Sequence, residues 1–148
     1  MGGDGARRAA EYGWHDGFER HVVRLVAALA EPADPARQRG WIAELDGRRV
    51  GSIACTPSKE GPDVAQLRLL LLHPDARGLG LGGRLVDTCI AFGTGAGYRR
   101  MRLWTTDVLT AARALYEKRG FRVVASAPHH GFGPELVGLD YERDLASP

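Results

Sequence analysis

The chain reads as an α/β (α+β) domain, a mixed and mostly antiparallel sheet of about six strands flanked by about three helices. Three observations predict it. The apolar run of residues 67–72, closed by His73 and Pro74, is too short for an ordinary helix and suits a strand buried on both faces. Arg77-Gly78-Leu79-Gly80-Leu81-Gly82-Gly83 follows, and Leu81, Leu85, Cys89, Phe92 and Ala96 then recur at helical spacing, which makes strand, glycine loop and helix. Asp46-Gly47 between two apolar segments is a strong hairpin signal, and the remaining segments complete the order β-β-β-α-β-α-β-β.

Residues 1–10 are rich in Gly and Arg and are expected to be flexible. Phe18, Val22, Leu25, Val26 and Leu29 mark one helical face, with Asp16 and Glu19 at capping-box spacing and Pro32 as the stop. Residues 32–39 read as a short linker inside one domain spanning residues 1–148. Strands are expected at 41–45 and 50–56, and a polar turn over 58–63 leads into the central strand. Ala96-Gly97 ends the helix after the glycine loop. Residues 100–106 read as a strand, because Met101, Leu103 and Thr105 alternate with Arg102, Trp104 and Thr106. Thr110 is the expected N-cap of a helix through Arg119, where Lys118 and Arg119 suit the negative end of the dipole and Gly120 the left-handed cap. Residues 121–125 and 136–143 supply the last strands, joined by the loop 128–134 (PHHGFGP). Trp41 and Trp104 are expected in the core.

Composition narrows the function. With 148 residues, 44% apolar and 26% charged, the chain has room for one modest core. A net charge of +2 is too small to point to nucleic acid or a membrane surface. Cys55 and Cys89 fall in apolar patterns, not metal-type pairs, and read as buried thiols of a reducing compartment. No apolar stretch has membrane-spanning length, and the opening MGGDGA lacks a signal-peptide core, so a cytoplasmic protein without metal is expected.

Glycines where a loop enters a helix take positive φ, and the first-turn N–H groups point outward without intrahelical partners, an arrangement that binds phosphate. Gly78-x-Gly80-x-x-Gly83 formally matches the dinucleotide fingerprint, a weak signal by itself. A Rossmann domain places that fingerprint in its first βα turn and continues with parallel βα units. Here the glycines follow a hairpin, and about half the chain remains.

Together with Pro74 and the leucine strand, Arg77, Gly80 and Gly82 resemble the acyl-CoA pyrophosphate loop of the GNAT superfamily of N-acetyltransferases. Leu115-Tyr116-Glu117-Lys118-Arg119-Gly120-Phe121 is similar to a GNAT segment whose tyrosine lies near the cofactor sulfur. EYGW at 11–14, LWTTDVL at 103–109 and HHGFGPELVG at 129–138 resemble a subgroup often fused to MarR-type winged-helix regulators. The likeness runs from Glu11 to Leu145. It implies a GNAT-like sheet, acetyl-CoA as acetyl donor with CoA as product, and a small-molecule or peptide amine as acceptor. Family members carry a first strand and most of a first helix ahead of EYGW, so the domain is expected to be N-terminally short. If that strand is an edge strand, residues 41–45 keep unpaired backbone groups and a homodimer or reduced stability is expected.

The resemblance also implies residue roles. The backbone of Leu70, Leu71 and Leu72 holds pantetheine, with the Leu72 amide as oxyanion donor. Arg77, Gly78, Leu79, Gly80, Leu81, Gly82 and Gly83 grip the pyrophosphate, through backbone N–H groups more than through the Arg77 side chain. Tyr116 is the general acid that protonates the departing sulfur, or else a core tyrosine between Leu115 and Phe121. Thr106 stands where related sequences commonly have a CoA-contacting Asn, and Asp107 either substitutes or caps the next helix. The central strand lacks the glutamate that many members use as base, which leaves Glu44, His129, His130, Asp107 or a water chain. His129, His130 and Phe132 are expected in the acceptor pocket, with Glu44 as an exposed hairpin carboxylate or a pocket residue. A covalent cysteine route is disfavoured, because neither thiol is placed by motif near a histidine. The rival reading is a non-catalytic acetyl-CoA-binding module acting with a MarR-type DNA-binding partner.

Overall fold

The computed structural model describes residues 20, 23–27, 29, 35–129 and 135–146. The chain divides into two compact units, Met1–Ala33 and Asp34–Pro148. In the first, residues 23–27 are helical, as the apolar periodicity predicts. Of the described residues of that face, Leu25 is buried, Leu29 half-buried and Val26 exposed. Phe18, Val22, the Asp16/Glu19 pair and EYGW lie outside the described residues.

The second unit contains β1 (Arg39–Leu45), β2 (Arg48–Ser58), β3 (Gly61–Leu72), α1 (Leu81–Gly95), β4 (Arg100–Thr106), α2 (Thr110–Lys118), β5 (Arg122–His129) and β6 (Leu136–Asp144). The element order is the predicted one. The six strands lie in the order β1-β2-β3-β4-β6-β5, and only β3 and β4 run parallel. Asp46 (φ 52°) and Gly47 (φ 76°) are both left-handed, which is the turn whose twist matches two antiparallel strands. Among the described residues β1 pairs with β2 alone.

One face of the sheet carries Ile53, Cys55, Leu67, Met101, Leu103 and Tyr141, all buried against Leu85, Val86 and Cys89 of α1 and Tyr116 of α2. Close approach sets where α1 lies. A Cβ on Gly82 meets Leu115 Cδ1 at 3.0 Å and Leu72 Cδ2 at 3.6 Å, so the first turn of α1, the end of β3 and α2 meet there.

Four expectations are corrected. Residues 69–72 are half-buried, not enclosed on both faces, because β4 has diverged from β3 by that point. Pro128 lies within β5, which runs to His129, and the edge position of β5 spares it the lost donor. Leu109, with no side-chain cap bond, is the N-cap of α2, and Thr110 is its first residue. Trp104 is 50% exposed, since it shares the face of Arg100 and Arg102, away from the helices. Trp41 does pack on the core, edge-on to Phe92 at 5.5 Å.

Candidate active site

A break in the sheet forms the site. Parallel pairing of β3 and β4 covers only Val64↔Arg100, Ala65↔Met101 and Gln66↔Arg102. Beyond it β4 stays with β6, while β3 carries a bulge. Ser52 opposes Leu71 and Ala54 opposes Arg68, so β3 has one extra residue, and Leu69 takes φ 60° to accommodate it. The fully buried Ser52 donates from Oγ to the Leu69 carbonyl at 2.9 Å, which satisfies a bond that the distorted ladder loses.

The bulge decides which backbone groups face the gap. The His73 N–H donates to Val50 O at 2.7 Å, so residues 71 and 73 turn toward β2. By alternation Leu70 and Leu72 turn their N–H and C=O groups the other way, into the gap. Leu71, expected among the cofactor contacts, faces its backbone to β2 instead. An open strand edge of this kind accepts an extended chain with amide groups as an added strand.

At the end of β3 the chain makes a 3-10 turn over Pro74–Ala76, capped by the buried His73, whose Nδ1 accepts from the Asp75 N–H at 2.9 Å. Gly78 (φ 84°) and Gly80 (φ 75°) then swing the chain into α1, and Gly80 is the N-cap with no side chain to offer. The first bond of α1 runs from Arg84 N–H to Gly80 O at 3.1 Å. The N–H groups of Leu81, Gly82 and Gly83 therefore have no acceptor within the helix, and the helix dipole adds positive potential there. Arg77 and Leu79 are exposed. Gly83 packs under the Arg119 guanidinium, which itself bonds Asp87 Oδ1 at 2.7 Å and Leu115 O at 3.1 Å and so ties α2 to α1.

Tyr116 is 5% exposed and makes tilted or edge-on ring contacts with Phe121 at 5.9 Å and Tyr141 at 6.1 Å. Burial, followed by its interaction with Cys89, pushes its phenol well above the usual range, away from that of a thiol. Tyr141 donates to Glu117 Oε2 at 2.6 Å and accepts from Arg113 Nε at 2.9 Å. Bonding to Cys55 and burial push the Cys89 thiol up, and both cysteines are fully buried.

The other predicted residues are spread over the sheet. Thr106 is buried at the end of β4. Asp107 does not cap α2; its Oδ1 accepts from the Val137 N–H at 3.0 Å, which closes the start of β6 onto the β4–α2 loop. Glu44 is exposed on β1, with two strands between it and β4, in a groove of about 290 Å³ lined also by Trp41, Leu81 and Arg84. His129 ends β5 and meets the Trp104 ring edge-on at 5.3 Å. His130 and Phe132 lie outside the described residues. Glycine loop, Leu72 and α2 thus come together, while Glu44 shares a groove with Leu81 and Arg84 at the start of α1, separated from β4 by two strands.

Residues 6–121 match the family described as the acetyltransferase (GNAT) family. The chain belongs to the GNAT acetyltransferase family. Mycothiol acetyltransferase of Geodermatophilus obscurus is 40% identical over 98 residues, 62% of this chain and 31% of that protein. A GNAT-family acetyltransferase of Streptococcus pneumoniae shares the fold at TM-score 0.71 and 21% identity, over 82% of this chain and 73% of that one. An acetyltransferase of Salmonella typhimurium, solved with acetyl-CoA, aligns at TM-score 0.68 and 20% identity over 76% and 68%. The match covers between 30% and 58% of the length of these curated relatives, and 31% to 37% of three of them.

Ser52, Trp104, Arg119 and Tyr141 stayed outside the predicted site of this GNAT domain. Trp104 carried a signal: it alternates with residues of the buried face, so its own face is that of Arg100 and Arg102.

Proposed function

We propose that this chain transfers an acetyl group from acetyl-CoA to a primary amine by direct attack of the amine on the thioester. One observation carries the reading: the unpaired edge of β3 at Leu70 and Leu72 leads straight into the uncapped start of α1. The edge has the hydrogen-bonding character of a groove for pantetheine, and the glycine turn that of a cradle for pyrophosphate. Acetyl-CoA supplies an activated acyl group on a sulfur that leaves as a thiolate.

The Leu72 N–H lies at the head of the open edge and stabilises the oxygen that gains charge as the amine attacks. Gly78, Gly80, Leu81, Gly82 and Gly83 bind phosphate through their backbone, and Arg77 adds a screened charge. Thr106 offers a hydroxyl at the opposite lip. Burial holds the Tyr116 phenol above its ordinary value, which suits a phenol that donates a hydrogen bond to the departing sulfur more than one that surrenders its proton outright. Of the candidate bases, His129 sits on the sheet with Trp104 and is the one we assign to the acceptor side, since the Asp107 carboxylate is already engaged by Val137.

The burial of Tyr116 among Phe121 and Tyr141 favours a second reading, a module that binds acetyl-CoA without turnover. Release of free thiol from acetyl-CoA across a panel of amines and peptides separates the two. Turnover on at least one amine supports the transferase. Tight cofactor binding with no release on any acceptor supports the module.

A further inference from the structure

The face of the sheet opposite α1 and α2 carries a charge ladder with one rung missing. β4 and β6 pair Arg100↔Asp144, Arg102↔Glu142 and Trp104↔Asp140 on that face. Arg100 bonds Glu142 at 2.8 Å and Arg102 bonds Glu142 at 2.9 Å, so this carboxylate engages both cations. Among the described residues Asp140 is reached only by Arg102, at 3.6 Å, and its side chain is 38% exposed. The acidic column thus runs on through a third position, whereas the basic column stops at an indole.

That indole is built as a platform. A Cβ on Gly138 meets Trp104 Nε1 at 2.9 Å and its ring carbons at 3.0 and 3.2 Å, so the ring lies close over β6 on a bare glycine, its rim against His129. Half of Trp104 remains exposed. It occupies the first position on this face beyond Gln66↔Arg102, where β3 and β4 part. A π face beside an exposed carboxylate attracts a cation.

We infer that Trp104 and Asp140 form a subsite for a second, positively charged nitrogen of the acceptor, so that the acceptor is a diamine or oligoamine. The inference rests on the acetyl-transfer reading above. The logic is chemical: the attacking amine must be neutral, so a nitrogen held as an ammonium over Trp104 is a different nitrogen from the one that attacks. The two are separated by at least one strand spacing, about 5 Å. The ligand cation completes the ladder opposite Asp140.

Steady-state kinetics with 1,4-diaminobutane, butylamine and alanine test this. The diamine is expected to exceed both monoamines in kcat/KM by about tenfold or more. Trp104→Leu and Asp140→Asn are each expected to raise KM for the diamine by about fivefold or more, with Trp104→Phe recovering part of the loss through its ring. In Asp140→Asn, butylamine KM and the calorimetric Kd for acetyl-CoA should stay within about twofold. Equal use of diamine and butylamine, or an Asp140→Asn variant that moves both amines alike, would overturn the inference. If acetyl-CoA binds but no amine is acetylated, the transfer reading fails, and titration of 1,4-diaminobutane into the CoA-saturated protein decides the subsite by itself. Binding heat that Asp140→Asn abolishes supports it, and absence of heat overturns it.

Discussion

The Tyr141 hydroxyl donates to the Glu117 carboxylate at 2.6 Å while it accepts from Arg113, so one buried phenol on β6 grips two side chains a helical turn apart on α2. A helix of 9 residues has little stability of its own and takes its orientation from such contacts. Arg143 adds another by donating to the Arg119 carbonyl at 2.6 Å. Tyr116 lies between them in the chain, and its ring rests on that of Tyr141.

Removing the hydroxyl alone tests the grip. Tyr141→Phe should destabilise the domain by about 1–2 kcal/mol, less than a fully buried charged pair because Glu117 keeps access to water. Urea unfolding with an unchanged slope measures it, and a midpoint equal to that of the parent would show that α2 is held by packing alone.

The bulge of β3 depends on Ser52. Ser52→Ala leaves the Leu69 carbonyl without its 2.9 Å donor and should cost about 1–2 kcal/mol. Because the bulge aims the open edge, KM for acetyl-CoA should also rise. A stability loss with unaltered KM would mean that the edge keeps its shape without the bond.

Glycines in the loop should matter more than its arginine. Gly80 has φ 75°, where a β-branched residue is strained by about 1–2 kcal/mol or more. Gly80→Val should therefore weaken acetyl-CoA binding about tenfold or more, and Arg77→Ala by less than about threefold. Comparable losses in the two variants, read by calorimetry, would assign the grip to the side chain.

Alkaline pH should weaken the fold through its buried phenols. Burial raises Tyr116 above its ordinary value, and burial together with the Glu117 carboxylate raises Tyr141 against the opposing pull of Arg113. Unfolded tyrosines lose protons near pH 10 while these two keep theirs, so the stabilisation is complete below about pH 10 and falls as pH rises further. Thermal unfolding from pH 8 to 11 should show the decline, and Tyr116→Phe should make it shallower. An equally steep decline in that variant would exclude Tyr116 as a cause.

Much of this architecture is local chemistry that a sequence displays. Asp46-Gly47, Gly97 and Gly120 all take the left-handed conformations that their neighbours imply, and the alternation fits β4 from Met101 to Thr105, breaking at the buried Thr106. The glycine loop was legible for the same reason. The bulge at Leu69 was not, because a run of leucines has no period from which a one-residue slip can be read. Pro128 looked like a loop residue because its tolerance depends on β5 being an edge strand. The contacts of Arg113, Glu117 and Tyr141, and those of Arg119 with Asp87 and Gly83, join segments far apart in the chain and leave no local trace.

Amide hydrogen exchange by NMR, with and without saturating CoA, tests most directly whether the open edge and the glycine turn hold the cofactor. The amides of Leu70, Leu72, Leu81, Gly82 and Gly83 should slow sharply on binding, whereas His73, already bonded to Val50, should change little. CoA that binds while these five amides exchange at their free rates would contradict the account.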